Sequence, residues 1–360
     1  MTVKILKKPA LSPQRQAMVR IAAAVIALVC TGVIMLFFGY NPFTVFYKML
    51  EGSTMTAYRF QETVNKAIPL VTLSLGCAVA FKMKFWNIGA EGQFYLGALG
   101  AAWLVFNLPE LPAPVMIPLM ILGGMVMGGL WALIPAVLKS QFGTSETLVT
   151  LMLNYIAIKF VTYLQYGPWK DPKASGFPKM PKFGDYAVLP KVFGVHMGWI
   201  IALIATLLVW VLFQKSKLGY EIAVLGESVS TARYAGMSPT RITLAAVLLS
   251  GGLCGLAGMM QASAIERSLS ATLSGGLGFT AVITAWLARL SPPAIVGVSF
   301  FFAMLLQGGS YLQTAMQIPA AMADIIQGII LFFVLGSEFF VQYKVHFVRE
   351  GKAEGKEAAV

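Results

Sequence analysis

Polar residues that are costly to place in an apolar environment stand near residue 90. The segment 85–100 reads FWNIGAEGQFYLGALG, and its polar and glycine positions include Asn87, Gly89, Glu91, Gly92 and Gln93. A charge at the centre of a bilayer costs roughly 2.5–3.5 kcal/mol on insertion scales, so such side chains persist beside a cavity, a partner or the interface. Two interpretations stay open: these residues cap an apolar helix next to Lys82 and Lys84, or a broken backbone lines a path for a solute.

A second polar group lies in the segment 143–155, which reads GTSETLVTLMLNY. Thr144 and Ser145 predict the N-cap of a helix, because a side-chain oxygen there accepts a hydrogen bond from a free backbone N–H. Glu146 then falls in the first helical turn, where its charge complements the helix dipole. Asn154 lies deeper in the apolar run, which predicts a hydrogen bond across to another helix.

The segment 215–241, KSKLGYEIAVLGESVSTARYAGMSPTR, separates two apolar runs and is long for a plain connector. It predicts a short helix over 227–234 between Gly226 and Gly236, because glycine just past a helix end enters the left-handed region without steric cost. Ser238-Pro239 predicts the cap and first turn of the next helix. We interpret the segment as a handle that another protein moves. The alternative is an ordinary solvated connector.

The composition is typical of a protein with many membrane-spanning helices. Of the 360 residues, 58% are hydrophobic and 12% are charged, and the mean hydropathy is +0.75. So few charges cannot cover the surface of a soluble protein. The net charge of +12 predicts no nucleic-acid partner, because Lys and Arg stand at the ends of apolar runs, where they signal topology. Cys30, Cys77 and Cys254 lie inside apolar runs without metal-ligand spacing, so we interpret them as packing residues and predict no metal site.

Apolar runs of roughly 17–25 residues predict about ten membrane-spanning helices, and the fold class is therefore all-α. The runs lie near 18–40, 67–82, 88–107, 114–138, 147–166, 197–214, 241–263, 276–290, 294–311 and 318–341. Most Lys and Arg face the cytoplasm if both termini are cytoplasmic, so the positive-inside rule favours an N-in, C-in topology. The predicted organisation is a basic cytoplasmic tail at 1–17, one membrane domain over 18–341 with an outer loop at 167–196 and a cytoplasmic loop at 215–241, and a cytoplasmic tail at 342–360.

Glycines recur inside the apolar runs at small-xxx-small spacing. Gly124 with Gly128, and Gly251 with Gly255, are separated by one helical turn. Small residues at this spacing let two helix backbones approach closely where lipid supplies no hydrophobic drive. The spacing therefore predicts that these glycines pack helices together.

Signatures of enzymes and nucleotide sites do not occur in the sequence. It has no G-x-x-x-x-G-K-[ST] phosphate loop, no G-x-S-x-G elbow and no H-E-x-x-H pair. His196 and His346 both lie outside the apolar runs, and few carboxylates lie inside them. A proton-coupled carrier is therefore disfavoured, and concentrative transport would need energy from another subunit. A self-sufficient secondary transporter or channel for a small polar solute stays open as the alternative.

These residues resemble the permease subunits of ATP-binding-cassette (ABC) importers in the branched-chain amino acid, ribose and nucleoside group, and most of all the longer permease of nucleoside or simple-sugar importers. Residues 86–93 match the signature F-N-I-G-A-E-G-Q with Trp86 in place of Phe, and 146–155 resembles E-x-x-x-T-L-M-L-N-Y. Residues 231–236, TARYAG, are similar to A-A-R-Y-A-G in a cytoplasmic loop of that group. The likeness runs from about 60 to 340.

The resemblance implies a type II-like ABC importer permease, a multi-pass protein of the bacterial plasma (inner) membrane. Implied partners are a second permease subunit (a shorter homologue), two cytoplasmic ATP-binding subunits, an extracytoplasmic solute-binding protein and membrane lipid. ATP and Mg²⁺ would be bound by a partner, and this chain would carry no catalytic residue and no cofactor. An ATPase-coupling loop is implied at Gly226, Glu227, Ala232, Arg233, Tyr234, Ala235 and Gly236. The translocation path or its signature is implied at Asn87, Gly89, Glu91, Gly92, Gln93, Glu146 and Asn154.

Within the implied coupling loop, Glu227 and Arg233 would be surface contacts, and Ala232 and Gly236 would allow close approach. The sequence departs from the family's pattern at Trp86, at Trp286 and in the relatively polar segment 283–285, ITA. These departures bear on the solute, since path-lining aromatic side chains suit a nucleobase or a sugar face equally.

Overall fold

The computed structural model describes residues 2–7, 12–109, 111–174 and 176–348. Its helices are α1 Pro13–Phe37, α2 Pro42–Thr54, α3 Ala57–Lys82, α4 Ala90–Asn107, α5 Ala113–Phe142, α6 Glu146–Tyr166, α7 Gly198–Lys215, α8 Lys217–Glu227, α9 Val229–Tyr234, α10 Pro239–Met260, α11 Leu277–Leu287, α12 Pro292–Ala315 and α13 Ala320–Gln342. Its strands are β1 Thr2–Lys7, β2 Lys191–Val192, β3 Val195–His196 and β4 Tyr343–Val348. A 3-10 turn, Asp185–Ala187, precedes β2, and a π-helical turn, Gln261–Glu266, extends α10.

A helix occupies every segment that the apolar runs predicted. The run at 67–82 is the second half of a longer α3, whose first turns carry polar side chains and were therefore missed. Among the described residues, six helices are long and apolar enough to cross a membrane. The pair Ile21–Phe37 and Pro42–Thr54, bent by 115°, makes a seventh if it is one span. The count of about ten crossings and the N-in, C-in orientation stay predictions.

The chain divides into two compact units, and the first contains the residues up to Gly52 and those from Gly308. In this unit α1 packs against α13. β1 pairs antiparallel with β4, with Thr2 opposite Val348, so the two ends of the described chain lie side by side. The part of the predicted C-terminal tail beyond 348 lies outside the described residues. The predicted single domain over 18–341 stays a prediction.

The second unit, Ser53–Gln307, is built around α3 and α10. In α3, 89% of the most apolar stretch of the helix is buried, and in α10 with its π-helical turn the share is 72%. The corresponding share is 28% in α5 and in α6, and 22% in α7. α3 and α10 are therefore the central helices of this unit. α4 is also buried along most of its length. α5, α6 and α7 turn one face inward and leave an apolar face outside, as a helix in contact with lipid does.

Glycines bring α5 and α10 into backbone contact. A Cβ added to Gly255 would lie 2.1 Å from the carbonyl oxygen of Gly124, and one added to Gly128 would lie 2.4 Å from the carbonyl oxygen of Gly251. No side chain larger than hydrogen fits between backbones this close. The prediction that these glycines pack helices is confirmed, and they pack against each other.

Candidate functional site

The predicted coupling segment forms two short helices, α8 and α9, joined at Ser228. Ser228 leaves the helical backbone (φ −158°, ψ 122°), and its side chain accepts the N–H of Thr231 at 3.2 Å. The predicted helix over 227–234 therefore begins too early: Glu227 is the last residue of α8, and α9 starts at Val229. The helix start was misplaced because a glycine suggested that the helix is interrupted at Gly226. The interruption lies at Ser228, which caps α9.

Gly226 lies inside α8 and has a packing role. A Cβ there would lie 2.3 Å from the carbonyl oxygen of Lys82 and 3.2 Å from the Cα of Met83. α8 therefore rests directly on the backbone where α3 ends. No side chain separates the two backbones at this point, so a displacement of α8 is transmitted directly to the end of α3.

The far end of α9 closes with the glycine that was predicted to follow it. Gly236 has φ +74°, its N–H donates to the carbonyl of Arg233 at 3.0 Å, and Met237 N–H donates to the carbonyl of Ala232 at 3.0 Å. This pair of bonds is a Schellman motif, which satisfies carbonyls left free at a helix end. The next helix, α10, has Ser238 at its N-cap and Pro239 in its first turn, as predicted, although the serine side chain makes no cap bond.

Most of the predicted coupling residues are exposed, on α9 and directly before and after it. Tyr234 is 94% exposed. Also exposed are Glu227, Arg233, Ala235 and Gly236. Ala232 is fully buried, so its small side chain packs α9 onto the chain itself. A cleft of about 220 Å³, lined by Phe85, Lys139 and Leu225 among others, lies beneath the segment.

The signature at the start of α4 is a buried network of hydrogen bonds. The side-chain amides of Asn87 and Gln93 bond each other reciprocally, at 3.0 and 2.8 Å. Asn87 Nδ2 also donates to Ser250 Oγ on α10 at 3.1 Å, and Ser250 in turn donates to the carbonyl of Gly76 at 2.7 Å. The network therefore ties the non-helical residues 83–89, which connect α3 to α4, to the body of α3 and to α10. Ser250 was missed as a partner, and its only signal was a hydroxyl inside a glycine-rich apolar run.

Two further bonds tie the same stretch to α6 and α11. Asn154 Oδ1 accepts the N–H of Gly92 at 2.8 Å, and its Nδ2 donates to the carbonyl of Ile88 at 2.9 Å. This confirms the predicted bond across helices. Glu91, which is 3% exposed, accepts the N–H of Gly278 in the first turn of α11 at 2.7 Å. A carboxylate at a helix N-terminus is favoured by the free N–H groups and the helix dipole.

Gly89 and Glu146 complete the predicted set. A Cβ on Gly89 would lie 3.0–3.1 Å from Asn87, Gln93 and Thr150, which is tight for any larger residue. Glu146 starts α6, as predicted, and forms an ion pair with Lys139. The same carboxylate oxygen accepts the backbone N–H of Trp86 at 3.4 Å.

The geometry therefore gives the signature residues a clear internal role. Their polar atoms bond one another, the side chains of Ser250 and Lys139, or backbone across α3, α4, α6, α10 and α11. Buried polar groups require such partners. This arrangement matches the capping and packing interpretation. A role along a solute path stays a prediction. Within the described residues, no group of three or more His, Cys, Asp or Glu side chains is placed to hold a metal ion.

The predicted outer loop ends in a small hairpin, β2–β3, and the side chain of its last residue, His196, is buried. Its Nδ1 accepts the N–H of Gly198 at 3.2 Å, and its backbone N–H donates to Asn65 Oδ1 at 3.4 Å. Nε2 has no hydrogen-bond partner among the described residues. Burial, with a smaller effect of Lys191, lowers the pKa of His196 to about 4, because charging a desolvated ring is costly.

Comparisons with known proteins were consistent with one another. The family model described as "Branched-chain amino acid transport system / permease component" matches residues 59–335. The chain is 33% identical over 332 residues to the glucose ABC transporter permease protein TsgB13 of Haloferax volcanii, covering 89% of this chain and 87% of that protein. It is 29% identical to the guanosine ABC transporter permease protein NupP of Bacillus subtilis, covering 95% and 97%. The chain is also 29% identical over 252 residues to the guanosine ABC transporter permease protein NupQ of the same organism, covering 67% of this chain and 78% of that protein.

Proposed function

The chain belongs to the family of branched-chain amino acid transport system permease components, and from that premise we propose that it carries a nucleoside or simple-sugar-like solute into the cell as part of an ABC importer. It is a multi-pass permease subunit, since its relatives are ABC transporter permeases and several of its helices are long and apolar enough to span a membrane. The solutes for which those relatives are named, glucose and guanosine, support the solute class.

The observation that carries the proposal is the exposed face of α9. A tyrosine that is 94% exposed, on a six-residue helix capped at both ends, gains nothing from folding of this chain alone. Tyrosine and arginine are enriched in protein interfaces, where their large side chains become buried. We therefore assign Glu227, Arg233, Tyr234, Ala235 and Gly236 to the contact with a cytoplasmic ATP-binding subunit, which would hold ATP and Mg²⁺.

The packing beneath α9 suggests how ATP-driven motion would enter the membrane part. α9 follows α8 through a single residue, and α8 abuts the end of α3 at Gly226. The break 83–89 follows directly and leads into the bonded cluster around Asn87. A push on α9 would thus reach the elements that the signature network holds together, as in rigid-body gating.

The remaining parts of the assembly follow from the same proposal. NupP and NupQ are both guanosine ABC transporter permease proteins of Bacillus subtilis, which supports pairing with a second permease of the same family. The solute path would lie between the two permeases, and an extracytoplasmic binding protein would deliver the solute. The side-by-side placement of β1 and β4 supports both ends lying on one side of the membrane, and the positive-inside rule is the reason to propose that this side is the cytoplasm of a bacterium.

Charge reversal on α9 tests the proposal. In proteoliposomes that contain the complete importer, Arg233→Glu is expected to leave assembly in the membrane intact and to uncouple solute uptake from ATP hydrolysis. The matched control is Lys182→Glu, which makes the same charge change on the exposed outer loop and should leave coupling unchanged. Wild-type coupling in Arg233→Glu would overturn the assignment. Ion- or voltage-driven flux through this chain alone, with no ATPase present, would favour the self-sufficient carrier instead.

A further inference from the structure

Two tryptophans that are 200 positions apart in the numbering stack on each other in the fold. The ring centroids of Trp86 and Trp286 are 5.3 Å apart, and the rings are inclined by 19°. Phe81 lies against both, at 5.9 Å from Trp86 and 5.7 Å from Trp286. Phe81 is buried, whereas Trp86 is 45% exposed and Trp286 is 37% exposed. The three rings therefore form an aromatic shelf with a buried base and an open side.

The shelf is built from two discontinuous elements. Trp86 lies in the non-helical break between α3 and α4, directly before Asn87. Its backbone N–H donates a hydrogen bond to the carboxylate of Glu146. Trp286 lies in α11, whose 11 residues span about 16 Å at 1.5 Å per residue, roughly half of a bilayer core of about 30 Å. In transporters, substrate sites form where broken or half-length helices meet, because their free backbone groups must face protein or water.

The open side of the shelf faces water or a partner rather than lipid tails. Irregular backbone is not tolerated in contact with hydrocarbon, and Trp86 belongs to such a break. Exposed Lys84 and Arg289 stand close by in the sequence, with φ +58° and +52°. An isolated tryptophan at the membrane surface is a common anchor, but an anchor does not require a second indole stacked on it and a phenylalanine packed beneath both.

We propose that the Trp86–Trp286 shelf is where the transported solute stacks a planar aromatic ring, so that the solute carries a nucleobase rather than being a bare sugar. This inference rests on the proposed transport function and narrows its solute. Stacking on an aromatic side chain suits every base, because every base has a π-face. The fold brings Trp86 and Trp286 into contact at one place, so that a ring stacked on either indole extends an existing aromatic stack.

Uptake kinetics with two probe solutes test the shelf. Proteoliposomes with the complete importer are given radiolabelled guanosine or glucose, and the wild type is expected to take up guanosine. Trp286→Ala should raise the KM for guanosine about tenfold, the loss expected for one stacking contact, and Trp286→Phe should raise it less. The control Trp210→Ala, at a tryptophan that is 39% exposed on α7, should leave the KM unchanged.

Three results would overturn the inference while leaving transport itself intact. They are uptake of glucose without guanosine, a wild-type KM in both Trp286 variants, and a KM that rises equally in Trp210→Ala. If neither solute is taken up, that result counts against the proposed function. The shelf is then tested by a second measurement, the binding of guanosine to the purified chain. Guanosine should then still quench the tryptophan fluorescence of the purified wild-type chain and fail to do so in the Trp86→Phe, Trp286→Phe double variant. Equal quenching in both, or none in the wild type, would refute the shelf.

Discussion

The contact between α5 and α10 leads to a sharp prediction for Gly255→Ala. A methyl group at this position would begin 2.1 Å from the carbonyl oxygen of Gly124 and 3.0 Å from the Cα of Gly128. Both neighbours are backbone atoms, so neither can rotate out of the way. A carbon and a carbonyl oxygen in contact are normally about 3.3–3.6 Å apart, and the two helices must therefore separate by about 1.2 Å.

The expected loss of stability follows from that separation. A gap of about 0.5–1 Å already forfeits a quarter to a half of the dispersion energy of a contact, so this larger separation forfeits at least as much. Forced overpacking costs about 1–3 kcal/mol. Alanine recovers up to about 1 kcal/mol through its higher helix propensity. Because the obstacle is rigid, we take the upper end of the overpacking cost, and the net loss is then about 2 kcal/mol.

A matched control separates packing from propensity. Gly297 lies inside α12, and a Cβ there meets nothing within 4 Å. Gly297→Ala should therefore stabilise the protein by up to about 1 kcal/mol through propensity alone. The two substitutions are chemically the same, and their free energies of unfolding should differ by about 3 kcal/mol.

Thermal unfolding in detergent, followed with a thiol-reactive dye, measures the difference. Cys77 and Cys254 are buried and free, so the dye reports their exposure on unfolding. Cys30 is partly exposed and is replaced by Ser in every protein compared. Gly255→Ala should melt several degrees below the parent, and Gly297→Ala at or above it. If Gly255→Ala and Gly297→Ala had the same melting temperature, the backbone contact would not be the constraint described above.

Further predictions concern the buried polar groups. Asn87→Leu leaves the Gln93 amide without its partner and should lower the free energy of unfolding by about 1–3 kcal/mol, and an unchanged melting point would refute this. Glu91→Gln keeps an oxygen to accept the Gly278 N–H and should cost less than Glu91→Leu, and equal melting points would contradict this ranking. His196 has a folded pKa of about 4 against an ordinary 6.5, so its contribution of up to about 3 kcal/mol is complete above pH 6.5 and is lost as the pH falls towards 4. His196→Gln should flatten that pH dependence in thermal melts, and a slope equal to wild type would disprove the role of His196.

The sequence predicted where helices lie because apolar runs and serine caps are local signals. α6 begins at Glu146 after the Ser145 cap, as the residue types indicated. The start of α9 was misplaced because Gly226 was taken as a break, whereas its missing side chain serves contact with Lys82. Such a contact joins residues far apart in the chain, and nothing in the local pattern reveals it.

The site was predicted as a set of residues but not as an arrangement. Asn87, Gln93 and Asn154 were singled out because polar groups in apolar runs are costly, and each proves to be buried and bonded. Their partner Ser250 and the stacking of Trp86 with Trp286 depend on how distant helices pack. One sequence carries no record of that proximity, so only the folded chain could reveal the network and the shelf.

The bare backbone seam between Gly124, Gly128, Gly251 and Gly255 limits how this protein can move. Two surfaces without a compressible layer cannot slide past each other by small side-chain adjustments, so shear between α5 and α10 is blocked. α5 and α10 must therefore tilt together as one rigid unit, a stiff arm that can bend only at the connections at its ends. Since α10 begins just after the Schellman turn that closes α9, that arm starts where an outside force would be applied.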